Sequence, residues 1–324
     1  MKSRLLIEQH FHGAFGVNFN TANVDDVLYL SKEILKYGVG GIFPTLVTDS
    51  AANIKRAVAV IKEAAAKQTT GMAKILGVHL EGIFINEKKK GIHNPVHFLA
   101  PTVENYKLLE DDFIKIVTLA PELNVDLIDY LKEKGIKVQA GHCVGGDLTG
   151  CTGTTHTFNA MEGISHRGKS TALSALINDE LYSEIIADGV HVSDDALRLF
   201  FKCKPVEKVI LVSDCLPCTA YYPLPLGEGR ISTRGTSVRN SGEGIWAFDF
   251  ADSEIFYDGK RAASKDGTLA GSTTLLPDII KRLHSVGMFH PQYIENPYNY
   301  HNIDDIKGAV EWDDECNILR VCSD

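Results

Sequence analysis

The chain lacks long apolar runs. In its 324 residues there is no uninterrupted apolar stretch of the ~18 residues that a membrane-spanning helix needs. The first residues, MKSRLLIEQHFHG, have neither the apolar segment nor the small-residue cleavage site of a secretory signal peptide. Seven cysteines, an odd number at scattered positions, form no disulfide framework. We therefore expect a cytoplasmic protein with reduced cysteines and no membrane partner.

Positive charge is also scarce. Lys and Arg total 33 against 42 for Asp and Glu, which gives a formal net charge of −9. Nucleic acids and anionic membranes bind basic surfaces, so this balance excludes both as partners. It leaves open a small anionic substrate, which needs only a local positive pocket. The content of hydrophobic (44%) and charged (23%) residues is that of an ordinary globular protein.

Short apolar runs recur along the chain, with segments of helical spacing such as 24–38, 53–68 and 193–204 between them. Several of the runs are continuously apolar, as strands buried on both faces should be. Alternating strands and helices predict an α/β fold, a (β/α)8 TIM-like barrel. The eight candidate strands are 5–11, 40–47, 75–81, 114–120, 137–142, 154–158, 184–189 and 208–214.

One predicted crossover is unusually short. Thirteen residues, Cys143 to Thr155, separate the histidines that end the fifth and sixth candidate strands. A crossover that includes a helix needs at least ~10–12 residues. This unit therefore holds at most one helical turn.

The barrel is predicted to occupy residues 1–290. Within it, residues 221–268 are rich in Pro, Gly and Ser with short aromatic runs, which indicates a loop or β-hairpin insertion. Residues 291–324 are polar with one late strand candidate, NILRV. We interpret this tail as the remnant of a small β domain.

Residues suited to metal chemistry end several candidate strands. Taken singly, Glu81, His142 and His156 are consistent with a salt-bridged rim glutamate and hydrogen-bonded structural histidines. Together, at the carboxyl ends of barrel strands, they make a three-ligand site with an open position for water, as a catalytic zinc-type ion requires. Asp214 ends the eighth candidate strand, where it can serve as a base towards that water or, in a structural interpretation, as a helix N-cap.

His10 and His12 alternate along the first candidate strand, so their side chains point the same way into the barrel mouth. An H-x-H pair on a strand is a common metal-binding arrangement, although it is short enough to arise by chance. His79 shares a face with Glu81 but lies deeper, and we interpret it as a hydrogen-bonded core histidine.

Further polar residues are candidates for substrate contacts. His93, Arg167 and His191 lie in loop-like segments, where each is also consistent with a solvated side chain, as are the lysines at 88–90. The backbone N–H groups of Asn159 and Ala160, at a predicted strand-to-helix turn, are placed to cradle an anion.

With these residues assembled, the chain resembles the N-acetylglucosamine-6-phosphate deacetylase family of the amidohydrolase superfamily, over residues 7 to about 280. The resemblance implies hydrolysis of the acetamide of N-acetylglucosamine 6-phosphate to glucosamine 6-phosphate and acetate. The matching segments occur in the family's order and include IEQHFHG, GVHLEGIFIN, KKGIHNP, GHC, THTFNAM, IIADGVHV, LVSD and DGTLAGSTTLL.

The resemblance also implies roles for individual residues. Glu81, His142 and His156 would hold one divalent ion, with zinc the first choice and iron, manganese, cobalt or nickel as alternatives. Asp214 would act as general base and then as acid. His10 and His12 would hold a second ion, as in family members that use two. Towards the substrate, His93 would contact the acetamide, His191 the sugar, Asn159, Ala160 and Arg167 the phosphate, and Leu269, Ala270 and Gly271 the sugar pocket. Arg167 would reach into a neighbouring subunit of a homodimer.

Three departures from the family pattern stand out. The barrel begins almost at the first residue, so the family's small β-sandwich domain is predicted to be largely missing. Arg4-Leu5 replaces the usual Pro-Gly, Glu8 replaces the aspartate before H-x-H, and the crossover at 143–155 is short. The alternatives are a hydrolase of another N-acyl amino sugar phosphate and a catalytically silent barrel that binds sugar phosphate.

Overall fold

The computed structural model describes residues 1–220, 231–233, 236–242 and 245–323. Helices in these ranges are α1 (Val24–Leu35), α2 (Ala51–Lys67), α3 (Val103–Lys107), α4 (Asp126–Glu133), α5 (Thr171–Ile177), α6 (Asp194–Cys203), α7 (Leu276–Ser285) and α8 (Gln292–His301). The strands are β1 (Lys2–Arg4), β2 (Leu6–Phe11), β3 (Gly13–Ala14), β4 (Val17–Asn18), β5 (Val39–Leu46), β6 (Lys74–Ile75), β7 (Val78–Glu81), β8 (Ile114–Leu119), β9 (Lys137–Ala140), β10 (Gly153–Thr154), β11 (Tyr182–Ile185), β12 (Val209–Leu211), β13 (Ile231–Thr233), β14 (Thr236–Gly242), β15 (Ile245–Phe250), β16 (Ser253–Tyr257), β17 (Ala262–Ser264), β18 (Leu269–Gly271), β19 (Ala309–Trp312) and β20 (Ile318–Cys322).

A curled parallel sheet forms the centre of the fold. Its strand order is β12-β11-β10-β9-β8-β7-β5-β2, with β6 also paired to β5. The two edge strands meet at their carboxyl ends, because the Asp214 amide donates to the His10 carbonyl (2.9 Å) and the His12 amide to the Cys215 carbonyl (2.8 Å). The sequence prediction of an α/β, TIM-like barrel is confirmed.

The outer helices begin where the sequence supplies caps. Asn23 and Asp26 form a reciprocal capping box at the start of α1, and the Ser50 side chain accepts from the Asn53 amide at the start of α2. Apolar residues at helical spacing, such as Leu30 and Ile54, are fully buried against the sheet.

The short crossover has no helix. Residues 141–152, all described, pass from β9 to β10 without one, yet the two strands pair in parallel with Gly153 opposite Gln139. This agrees with the limit of one helical turn set by the sequence. Three strands end at least three residues earlier than predicted, with β10, β11 and β12 stopping at Thr154, Ile185 and Leu211. The residues beyond β10 and β12 turn out of extended conformation to place site side chains.

An antiparallel sheet with strands in the order β13 to β18 follows the last barrel strand. Its residues Phe248, Phe250 and Ile255 pack with Val47 and Leu216 from loops at the barrel mouth. This sheet therefore covers part of the mouth. Of the predicted loop or hairpin insertion at 221–268, residues 221–230, 234–235 and 243–244 lie outside the described residues.

Helix α8 corrects the sequence prediction of a polar tail with one strand. Its Tyr298 hydroxyl donates to the Leu5 carbonyl (2.6 Å), and Asn296 Nδ2 donates to the Val206 and Val209 carbonyls, at 2.7 Å each. The polar side chains, together with Pro297 inside the helix, conceal the helical pattern in the sequence. They are buried because they hydrogen-bond barrel backbone.

The two ends of the chain meet in a small antiparallel sheet of order β1-β19-β20. The largely missing β-sandwich and the domain boundary at residue 290 stay predictions. Among the described residues, no helix is long and apolar enough to cross a membrane.

Candidate metal centre and substrate cavity

The strand-end residues selected from the sequence meet at one end of the barrel. His10 lies on β2, with His12 directly after that strand, and Glu81 is the last residue of β7. His142, His156 and Asp214 each follow a strand by two or three residues. Parallel strands present their carboxyl ends on one face, so these side chains converge at the barrel mouth.

Three of these residues have left-handed backbone. The φ angles are 48° for His142, 32° for His156 and 51° for Asp214. Such conformations cost of order 1–3 kcal/mol each in non-glycine residues and cluster at functional sites. Hydrogen bonds hold them, for example from the Asn86 amide to the His142 carbonyl at 2.9 Å. The turned backbone directs each side chain towards the barrel axis.

The carboxylate of Glu81 lies between two groups of ligands. Its Oε1 is 3.2 Å from His142 Nε2 and 3.0 Å from His156 Nε2, and the two Nε2 atoms are 3.1 Å apart. We call these three residues the His142/His156 subsite.

The other oxygen of Glu81 faces the first-strand histidines. Glu81 Oε2 is 3.4 Å from His10 Nε2 and 3.0 Å from His12 Nε2. Asp214 Oδ1 lies 3.4 and 3.2 Å from the same two nitrogens. His10, His12, Asp214 and this oxygen form the His10/His12 subsite. Glu81 therefore belongs to both the His142/His156 and the His10/His12 subsite.

The donor atoms fit divalent cations. The Nδ1 atoms of His12 and His142 lie 3.3 and 2.8 Å from the carbonyls of Thr45 and Lys89, so both histidines carry the proton on Nδ1 and present an Nε2 lone pair. His10 Nε2 is buried with no hydrogen-bond partner within the described part of the chain. Converging lone pairs and carboxylates repel one another unless a cation lies among them, and imidazole with carboxylate is a donor set that zinc and similar ions accept.

The pKa values of His12 and Glu81 also indicate that this centre favours positive charge. Burial opposes charging of His12, but hydrogen bonds to Asp214 and Glu81 outweigh it and raise the His12 pKa to about 9. Burial likewise opposes ionisation of Glu81, and the neighbouring His10 and its hydrogen bonds nevertheless hold the Glu81 pKa well below its usual value. The centre keeps its carboxylates ionised and attracts protons or metal ions.

His79 is a core histidine, as predicted. Its Nδ1 is 3.0 Å from the Gln9 carbonyl and its Nε2 is 2.7 Å from Thr118 Oγ1. Burial lowers its pKa to about 4, so it is neutral. Both ring nitrogens have partners, which leaves none to bind a metal ion.

A cavity of about 500 Å³ opens beside the metal centre. It is closed on one side by Phe250 from the antiparallel sheet. Its walls bring together almost every substrate-contact residue that the sequence analysis selected: His93, Asn159, Ala160, His191, Leu269, Ala270 and Gly271.

Known proteins resemble the chain over most of its length. No protein-family model matches it. An N-acetylglucosamine-6-phosphate deacetylase from Bacillus subtilis is 28% identical over 98% of this chain and 80% of its own length. The enzyme of the same name from Homo sapiens is 34% identical over 69% of this chain. The chain belongs to the N-acetylglucosamine-6-phosphate deacetylase family. It spans 58% of the human relative's length.

Solved structures of deacetylases in this family share the fold. The one from Pasteurella multocida has a TM-score of 0.83 and 23% identity, covering 99% of this chain and 85% of that chain. The one from Mycobacterium smegmatis, a mutant in complex with N-acetyl-D-glucosamine-6-phosphate, has a TM-score of 0.84 and 21% identity over the same shares.

Two histidines that line the cavity are held by hydrogen-bond partners on the side away from it. His93 Nδ1 is 2.7 Å from Thr48 Oγ1, which accepts from the Ile83 amide and so donates its own proton to the ring. His93 therefore carries its proton on Nε2. His191 Nδ1 is 2.8 Å from Asp188 Oδ2, and this pairing outweighs burial and raises the His191 pKa. Each ring is held in one orientation.

Arg167 does not join the cavity in the described single chain. It is exposed, and its Nε lies 3.1 Å from His166 Nε2. A phosphate contact by Arg167 within its own subunit is therefore not supported, and its predicted reach into a neighbouring subunit stays a prediction.

Two groups of functional candidates were not selected from the sequence. The sequence predicts solvated side chains for the lysines at 88–90. In the structure all three line the cavity, beside the 3-10 turn Glu87–Lys89. The run of three lysines, which ends three positions before His93, is the sequence signal for them. Glu184, buried on β11, contacts His10 at 2.9 Å. A glutamate directly before the apolar run 185–187, at the start of the seventh candidate strand, is its signal.

Proposed function

We propose that this chain is a metal-dependent hydrolase that converts N-acetylglucosamine 6-phosphate to glucosamine 6-phosphate and acetate. The observation that carries the proposal is the convergence of the two subsites, sharing Glu81, on a cavity lined by His93, His191 and the 159–160 turn. The names of the relatives support the same reaction.

Glu81, His142 and His156 would hold one divalent ion, with zinc the first choice and iron, manganese, cobalt or nickel as alternatives. His10 and His12 would hold a second. A divalent ion, when bound, supplies Lewis-acid polarisation of the acetyl carbonyl and acidifies water.

The chain's own residues supply the proton transfers. Asp214 is buried, and its pKa is lowered by the neighbouring His10 and His12 although burial opposes this, so it is ionised and able to accept a proton. It would take the proton of the attacking water and return it to the departing amine. His93, with its proton on Nε2, would donate to the acetamide region.

The rest of the cavity would orient the sugar phosphate. His191 and the segment Leu269–Gly271 would contact the sugar, and the Ala160 amide would donate to the phosphate end. The Asn159 amide already donates to the His156 carbonyl at 2.9 Å, so the predicted phosphate contact of that amide is not supported. Arg167 of a second subunit would complete the phosphate site in a homodimer.

Acetate release tests the proposal. Protein loaded with zinc, iron or manganese should release acetate from N-acetylglucosamine 6-phosphate, and Asp214→Asn should lower kcat by at least ~100-fold, because the proton acceptor is lost. Asp26→Asn is the matched control: Asp26 is a buried aspartate in the capping box of α1, away from the cavity. Its kcat should be unchanged.

The same assay separates the alternatives. Turnover of N-acetylgalactosamine 6-phosphate in preference to the gluco sugar would change the substrate assignment. Metal and sugar-phosphate binding without turnover of any N-acetyl hexosamine phosphate would contradict the enzyme proposal and favour a silent binding barrel.

A further inference from the structure

Glu184 is a buried carboxylate beneath the metal centre. It is 1% exposed and lies on β11, in the barrel interior. Its Oε2 accepts from His10 Nδ1 (2.9 Å) and from the His156 amide (3.2 Å), and its Oε1 accepts from Gln9 Nε2 (2.6 Å). A carboxylate in this position is costly unless donors surround it, and all three of these partners are donors.

The contact with His10 fixes the tautomer of that ring. Because Nδ1 donates its proton to Glu184, the lone pair of Nε2 faces Glu81 Oε2 and Asp214 Oδ1, at 3.4 Å each. A carboxylate behind a histidine orients the ring and makes its free nitrogen a stronger ligand.

The same carboxylate also reaches the other subsite. Its bond to the His156 amide supports a residue whose φ is 32°. This bond holds backbone, whereas the bond to His10 holds the ligand ring itself. Glu184 therefore acts more directly on the His10/His12 subsite.

Glu184 is in turn held from helix α8. Gln9, which donates to Glu184, accepts from His301 Nε2 at 2.9 Å through its own Oε1. His79 lies near His10 and Glu184 without adding a metal ligand, because both of its nitrogens have other partners. The group is a hydrogen-bonded support and not a third metal site.

We propose that Glu184 is a positioning residue that sets the tautomer of His10 and thereby the affinity of the His10/His12 subsite for a second divalent ion. The proposal rests on the metal-dependent function proposed above. Replacement by glutamine must place one amide donor against a donor, since each contact on Glu184 is a donor.

Manganese binding to the full chain tests the proposal, by equilibrium dialysis for stoichiometry and by EPR for exchange coupling within an ion pair. Wild type should bind two Mn²⁺ ions per chain and give a coupled spectrum. Glu184→Gln should retain the first ion and bind the second 10–100-fold more weakly, with the coupled spectrum lost. Gln9→Met, which removes the support of Glu184 but not its contact with His10, should weaken the second ion less.

The tautomer itself provides an independent readout. In the zinc-loaded wild type, ¹⁵N–¹H NMR should show His10 protonated at Nδ1, with the low-field proton of a carboxylate-bonded imidazole. Glu184→Gln should lose that signal. Glu8→Gln is the matched control, since Glu8 is a buried glutamate on the same strand as His10 that accepts from the His10 and Ser213 amides. This control should keep both ions and the signal.

The outcomes distinguish the two proposals. A wild type that binds no Mn²⁺ contradicts the proposed function. A wild type that binds one ion, or a Glu184→Gln variant that binds two as tightly as wild type, overturns the role of Glu184 alone. Equal loss of both ions with a lowered Tm in Glu184→Gln also overturns it, because that result indicates a merely structural role.

Discussion

At the scale of single residues, the centre depends on how each imidazole is supported from behind. Carbonyls of Thr45 and Lys89 support His12 and His142, whereas a carboxylate supports His10. His156 Nδ1 is buried with no partner among the described residues. The four histidines therefore differ in donor strength, and the strongest support lies behind the histidine of the first strand.

The cavity lysines carry a prediction about substrate charge. Lys88 and Lys90 line the cavity but do not contact the metal centre. Lys88→Met/Lys90→Met should raise KM for N-acetylglucosamine 6-phosphate by roughly 5–10-fold with little change in kcat, because two exposed cations each contribute up to ~1 kcal/mol of attraction. Steady-state kinetics measure this effect.

The control for the lysines is a double variant with the same change in charge. Lys62 and Lys67 pair with surface carboxylates on α2 and outside it, and Lys62→Met/Lys67→Met should leave KM unchanged. An equal rise of KM for the unphosphorylated sugar would contradict the phosphate interpretation.

At the scale of elements, the crossover without a helix and helix α8 show opposite relations between sequence and structure. The spacing of His142 and His156 limits the crossover to one turn at most, and the structure agrees. Helix α8 escapes prediction because its buried residues, among them Asn296 and Tyr298, are polar or amphipathic. The contribution of these residues to stability can be recognised only once the carbonyls that they hydrogen-bond are known.

A substitution in α8 measures how much these hydrogen bonds contribute to stability. Asn296 is fully buried and donates to two carbonyls beside β12. Asn296→Ala should lower the free energy of unfolding by about 2–3 kcal/mol, because one buried and one partly buried carbonyl lose their donor and a small cavity opens.

Chemical denaturation followed by circular dichroism would detect this change. Asn299→Ala, at an exposed position of the same helix, should change the stability by less than about 0.5 kcal/mol. Similar losses for both variants would mean that helix propensity, and not the two hydrogen bonds, accounts for the effect.

The candidate site was easier to predict than its support. Glu81, His142, His156 and Asp214 come from strand ends, and parallel strands bring such ends together regardless of detail. Glu184 and the lysines at 88–90 depend on which way a side chain points and on how a loop folds back. A residue's position in a strand or loop of the sequence shows neither the direction of its side chain nor the conformation of the loop.

At the scale of the whole molecule, the metal centre links distant parts of the chain and should contribute to stability. Removal of metal by EDTA should lower Tm, and zinc at 100 times its Kd should restore about 2.7 kcal/mol of stability. That restoration corresponds to roughly 5 °C in Tm. Differential scanning calorimetry measures the change.

Glu81→Gln provides the control for the stability effect. Glu81 supplies one oxygen to each subsite, so this variant should show no zinc-dependent rise in Tm. A rise equal to that of wild type would place the stabilising ion elsewhere on the molecule.

The contact between the two edge strands of the sheet, β2 and β12, determines the order in which the two subsites form during folding. The His142/His156 subsite takes its ligands from the consecutive strands β7 to β10, within residues 81–156. The His10/His12 subsite instead needs β2 to meet Asp214 across about 200 residues of chain. Contacts of such long sequence separation form late in folding. The His142/His156 subsite can therefore form before the sheet closes into a barrel. Metal binding at the His10/His12 subsite then indicates that the barrel has closed.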